Sequence, residues 1–125
     1  MLISQKLLPS ELFEHYKVLW TGTCNKGNTV TLNDSIKNYN AVFIRLKTDV
    51  TYVMCPIIQN TNVVRGSNIF IADSNNYLQF LTVKGGCDTT SFTLTNMVIL
   101  RLTASGSVTD YSSEYTYISE IIGVR

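Results

Sequence analysis

Proton or acyl transfer needs a base beside a nucleophile, and this chain offers one histidine, His15, and three cysteines, Cys24, Cys55 and Cys87. His15 falls among the first sixteen residues rather than beside a strand-end cleft, so no Ser-His-Asp or Cys-His arrangement can be placed. The cysteines lie 31 and 32 positions apart (24 to 55, 55 to 87), which matches no compact zinc or redox motif. They read as buried or semi-buried free thiols. Gly85-Gly86 stands without a phosphate-loop or dinucleotide signature and reads as a hairpin turn. Glycoside hydrolysis needs only two acids about 5 to 9.5 Å apart, and a pair would have to come from Asp73, Asp88, Asp110 and Glu114. Turn propensity alone would put Asp34, Asp49, Asp73, Asp88 and Asp110 where they are. No twelve-residue calcium loop is present. The chain is therefore expected to be no enzyme and to hold no metal or cofactor.

Ten Lys and Arg against nine Asp and Glu leave a net charge of +1, with only 15% of residues charged. That field is too sparse for nucleic acid or an anionic membrane surface. Hydrophobic residues at 45% exclude a disordered chain, and no run approaches the 18 or more apolar residues of a membrane span. The opening MLISQKLLPS lacks the apolar stretch and small-residue cleavage site of a secretory signal. Asn33-Asp34-Ser35 spells a glycosylation acceptor but, without a secretory route, reads as a turn.

The elements that would position any site are strands. Thr, Ser and Asn make up 37 of the 125 residues, and with abundant Val and Ile they favour strands with polar outer faces and tight turns. Residues 10–16, SELFEHY, form at most a short helix capped by Ser10, so 1–16 read as an arm and 17–125 as one domain. Strands are predicted at 17–23, 29–32, 41–47, 50–55, 67–72, 77–83, 91–94, 97–104 and near 115–122, with turns at Gly27-Asn28, Thr48-Asp49, 73–76, 84–88 and Thr95-Asn96. Spacing of about 8 to 12 residues, with no helix long enough for a crossover, predicts an all-β antiparallel sandwich, jelly-roll-like, with a short N-terminal arm or helix.

Alternation assigns faces. Val42, Ile44 and Leu46 point to the core and Phe43, Arg45 and Lys47 away from it; by the same rule Val98, Leu100 and Leu102 take the core, opposing Met97, Ile99 and Arg101. Around Phe70 and Leu78–Leu81 the strands are apolar on both sides, which calls for a central position or for cover by another subunit. Trp20 is expected to anchor the core or a subunit contact, and Ile36 and Tyr39 to staple the segment between the second and third strands. Loops at 60–66, 73–76, 84–89 and 105–114 are where binding specificity can vary without disturbing a core.

Residues 19–46 carry a family pattern: Leu19-Trp20, Thr21-Gly22, Gly27, Thr29-Val30-Thr31-Leu32, Ser35-Ile36, Asn38-Tyr39 and the aliphatics Val42, Ile44 and Leu46. Together with the ending Ile121-Ile122-Gly123-Val124-Arg125, the chain resembles the C-terminal β-rich domain of tailed-bacteriophage tail-fibre, receptor-binding and related virion proteins. The resemblance spans about 110 residues and is diffuse in the middle. It implies a non-catalytic, usually homotrimeric sandwich tip on a fibre or baseplate, made in the bacterial cytoplasm and contacting other virion proteins and a host surface glycan or protein. Almost nothing precedes the domain, which makes a complete small capsid-decoration, collar or baseplate protein the rival expectation, and a glycan-degrading enzyme a third. For attachment, Asn75, Tyr77, Asp88, Asp110, Tyr111 and Tyr115 are the loop or rim residues able to offer amide, carboxylate and aromatic contacts.

Overall fold

A computed structural model describes residues 15–47, 52–71, 77–110, 112 and 117–125. The described residues form nine strands: β1 (Tyr16–Asn25), β2 (Thr29–Thr31), β3 (Ala41–Leu46), β4 (Tyr52–Pro56), β5 (Val63–Ile71), β6 (Leu78–Asp88), β7 (Ser91–Leu102), β8 (Val108–Asp110) and β9 (Tyr117–Val124). They make two antiparallel sheets. Sheet A runs β1-β9-β3-β4 and sheet B runs β2-β7-β6-β5, with β8 pairing β7 beyond β2. Pairing of β1 with β9 and of β2 with β7 wraps the chain ends around the middle, while β3-β4 and β5-β6-β7 follow as hairpins. The result is the expected all-β sandwich.

The layers are tied at both edges. Along one edge Leu32 N donates to Thr90 O at 2.6 Å and Gly27 N to Leu94 O at 2.7 Å, while Asn33 N reaches back to Leu19 O of sheet A at 2.8 Å. At the other, Asn68 Nδ2 donates to Tyr52 O at 3.1 Å, and Gly66 lets β5 lie directly on β4: a Cβ there would sit 2.2 Å from Met54 O. Only glycine permits that approach. Between the layers Leu19, Ile36, Val42, Ile44, Leu46, Leu81, Phe92, Leu94, Ile99 and Ile121 are buried. Each such side chain stabilises by about 1.5–3 kcal/mol relative to exposure.

The β3 faces are as alternation predicts, with Val42, Ile44 and Leu46 inward. Strand β7 is different. Val98, Leu100 and Leu102 are not core residues: Met97 and Ile99 are buried, and the three predicted ones are half-buried on the outer face. Thr95-Asn96 is not a turn but a β-bulge inside one strand, where Lys84 opposes Asn96 and Gly85 opposes Leu94, leaving Thr95 as the extra residue. A bulge resets the period-2 pattern, so inward positions pass from Phe92 and Leu94 to Met97 and Ile99. Thr95 Oγ1 fastens it by donating to Lys84 O at 2.9 Å.

Gly85-Gly86 is likewise no turn; it lies inside β6, and the hairpin turns at Thr89-Thr90, with Thr89 at φ 48°. Residues 63–66 and 84–88, expected as loops, are strand, and β8 occupies 108–110 within the expected 105–114 loop. The arm predicted over 1–16 lies outside the described residues up to Glu14, and Tyr16 already belongs to β1.

Candidate functional site

Registers resolve the outer faces into ranks running across the strands. On sheet A the first rank is Tyr16, Val124, Ala41 and Pro56; the second is Val18, Ile122, Phe43 and Met54; the third is Thr21, Glu120, Arg45 and Tyr52. Two ranks are apolar, with Tyr16 55% and Met54 51% exposed. The third is a polar lattice. Tyr52 OH donates to Glu120 Oε1 at 2.7 Å, Arg45 lies 5.8 Å from the Tyr52 ring, and Phe43 meets that ring edge-on at 6.4 Å. The Glu120 carboxylate holds the Tyr52 phenol above its ordinary value, chiefly by accepting this bond. Tyr16, Phe43, Tyr52 and Ile122 surround an open apolar hollow of about 310 Å³.

Sheet B is graded the other way. Ile71, Leu78, Leu102 and Val108 form one rank, and Ile69, Phe80, Leu100 and Asp110 the next. Then come Ser67, Thr82 and Val98, followed by Arg65, Lys84 and Asn96. Ile69, Ile71 and Val108 are 59, 64 and 63% exposed. Eight outward apolar side chains on one sheet face exceed the scattered exposure of a surface built only for water. The polar ranks enclose a groove of about 450 Å³ lined by Arg65, Gly66, Ser67, Thr82, Val83, Lys84 and Asn96.

Tyr77, just before β6, and Asp110, at the end of β8, sit at the same end of sheet B, where β5 also ends at Ile71. Asn75, Tyr111 and Tyr115 lie outside the described residues. Tyr77 is half-buried with the Arg101 guanidinium 5.9 Å from its ring, and Arg101 Nε donates to the buried Gln79 at 2.9 Å. Asp110 is exposed; Ser112 donates to it from its backbone N at 2.8 Å, and its carboxyl is held below the usual range, chiefly by the Ser112 side chain.

Asp88 stands apart, beside the β6-β7 turn at the opposite end. Counting ranks along β7 separates Asp88 from Asp110 by roughly 25–30 Å, far beyond the reach of a hydrolytic pair. Asp73 and Glu114 lie outside the described residues. Among the described residues no group of three or more His, Cys, Asp and Glu is placed to hold a metal ion.

The expected staples bring a residue that sequence reasoning passed over. Ile36 and Tyr39 are buried, Ile36 in the 3-10 turn Ile36–Asn38 capped by Ser35. Tyr39 OH donates to Asp34 Oδ2 at 2.9 Å, Asn38 Nδ2 and Ser35 N donate to Oδ1 at 2.9 and 2.8 Å, and Lys17 and Arg125 stand 3.9 and 3.8 Å away. The Tyr39 hydroxyl and these donors hold the Asp34 carboxyl below its usual value. Arg125 also covers the Tyr39 ring at 4.9 Å, and Gly123 leaves room for the ring beneath β9. Asp34 thus ties β1, the 3-10 turn and the chain end. The available signal was an Asp before a Ser cap, followed by Asn and Tyr at four and five residues.

Trp20 is half-buried against the core, its ring lying over Gly22. All three cysteines are free and buried, and burial pushes the Cys55 thiol up to about 12. They are scaffold, not nucleophiles. No family model matches this chain, and no curated protein matches it.

Proposed function

We propose that this chain is a non-catalytic virion protein of a tailed bacteriophage, a homotrimeric attachment domain at a tail-fibre or baseplate tip. The virion assignment rests on the resemblance of residues 19–46 and 121–125 to such domains. The observation that carries the assembly is the pair of exposed apolar patches, one on each outer face. A closed three-fold ring uses two different patches on every subunit, because each contact joins unlike surfaces. The apolar ranks of sheet B would pack on those of sheet A of the next subunit. The polar half of sheet B, left outside that contact, is then presented in three copies, and individually weak contacts become strong at high effective concentration.

A second reading, a capsid-decoration, collar or baseplate protein, is favoured by the same two-sided apolarity, since a subunit can dock different neighbours on its two faces. Light scattering with imaging of the native particle tests both. The proposal expects a solution mass of three 14.0 kDa chains and density for the chain at a distal tip. Density on the capsid or within the tail wall would overturn attachment and establish the structural role.

A further inference from the structure

The polar half of sheet B contains an arrangement the fold does not need. Arg65 and Lys84 are direct cross-strand partners, and Lys84 is in turn opposite Asn96. Like charges facing each other across a strand pair destabilise it. Among the described residues neither cation has an ion-pair partner. The acid nearest along β6, Asp88, is two ranks farther on, about 13 Å by the strand rise. A third cation adds to the field. Lys37 Nζ is clamped by the carbonyls of Ile58 at 2.8 Å, Gln59 at 3.2 Å and Thr61, and that loop lines a smaller cavity of about 180 Å³ shared with Arg65 and Lys84.

We infer that the groove between Arg65, Lys84, Ser67, Thr82 and Asn96 is a binding site for an acidic saccharide, with the sugar carboxylate on the two cations. A guanidinium presents paired donors that match a carboxylate, and Lys84 adds a second point charge. Hydroxyls of Ser67 and Thr82 and the Asn96 amide can both donate to and accept from sugar hydroxyls. The volume, about 450 Å³, falls in the range of small-molecule sites and exceeds what a bare inorganic anion fills. Two free cations and a net charge of +1 fit one anionic group rather than a polyphosphate backbone. This gives the attachment reading its ligand class and rests on that reading for the source of the sugar, a host surface polysaccharide.

The test titrates the full chain with D-glucuronate, a glucuronate-containing oligosaccharide, glucose and inorganic phosphate, following backbone amide shifts. Saturable shifts at Ser67, Thr82 and Asn96 with glucuronate and the oligosaccharide, absent with glucose, are expected. Affinity should fall at least tenfold in R65Q/K84Q, whose melting temperature without sugar is expected to equal or exceed that of the parent. No saturable shift with either acidic saccharide, equal shifts with glucose, or equal affinity for phosphate overturns the inference. Stronger binding of the oligosaccharide than of glucuronate points to the polymer as source; equal binding overturns that source and leaves the monosaccharide site. Solution mass recorded on the same samples separates the two readings: a trimer that binds no sugar sinks this site alone, and a monomer that binds it sinks the trimer alone.

Discussion

The outer faces of the two sheets run in opposite senses. Sheet A is apolar where Tyr16, Val18, Ile122 and Val124 gather near the chain end, and closes at the other side with the Arg45, Tyr52 and Glu120 lattice. Sheet B is apolar at the far side, around Ile69, Ile71, Phe80 and Leu100, and cationic toward the chain end at Arg65 and Lys84. A cross-layer bond from Asn68 to Tyr52 brings the two gradients into one frame. Polarity in this sandwich belongs to ranks rather than to strands: β6 carries Leu78 and Phe80 at one end of its outer face and Lys84 at the other. The two apolar patches are therefore staggered, and a contact between them in neighbouring subunits leaves the polar half of sheet B outside it.

The largest expected effect breaks that pairing of faces. Ile69→Lys with Ile71→Lys places two charges on exposed positions the monomer does not need, so the fold should persist while the light-scattering mass of the proposed trimer falls to that of one chain. Val18→Lys with Met54→Lys on sheet A sharpens the comparison. Dissociation there too supports a ring built from both faces; an unchanged mass assigns the oligomer to sheet B and leaves sheet A for a different partner protein.

Next in size is the join between the layers. Gly66→Ala sets a methyl group against the Met54 carbonyl, and the backbone cannot yield as a flexible side chain would. A loss of about 1–3 kcal/mol in denaturant unfolding is expected. A wild-type midpoint would show that β5 can lift from β4.

The smallest effect is electrostatic. Asp34 has a lower pKa folded than unfolded, so its contribution is complete above the unfolded value, about 4, and is lost as pH falls through the folded one. Melting temperature should therefore drop on acidification below about pH 4, and Asp34→Asn should flatten that part of the profile. An equal acid slope in the variant would remove Asp34 from this role.

Much of the scaffold was legible from local pattern. Val42, Ile44 and Leu46 alternate without interruption, so their inward face follows from counting, and the 31- and 32-residue spacings of Cys24, Cys55 and Cys87, which fit no compact metal or redox motif, already pointed to free thiols. Counting failed at Thr95, where one extra residue turns Val98, Leu100 and Leu102 outward and supplies part of the very patch proposed for assembly. Gly85-Gly86 misled for a related reason: Gly85 is needed because the Phe92 ring lies where its Cβ would be, and not because the chain reverses there. The candidate groove was illegible, since Arg65 and Lys84 are 19 positions apart and each alone is an ordinary surface cation.

By itself the sequence determined a β chain of hydroxyl-rich strands and tight turns, a sparse surface charge and the inward face of β3, because propensity and period-2 alternation act within a few residues. Tertiary structure decided which strands share a sheet, where bulges reset the faces, and which side chains form each rank. Those depend on register between segments distant in the chain, and a shift of one residue moves every side chain of a strand to the other face.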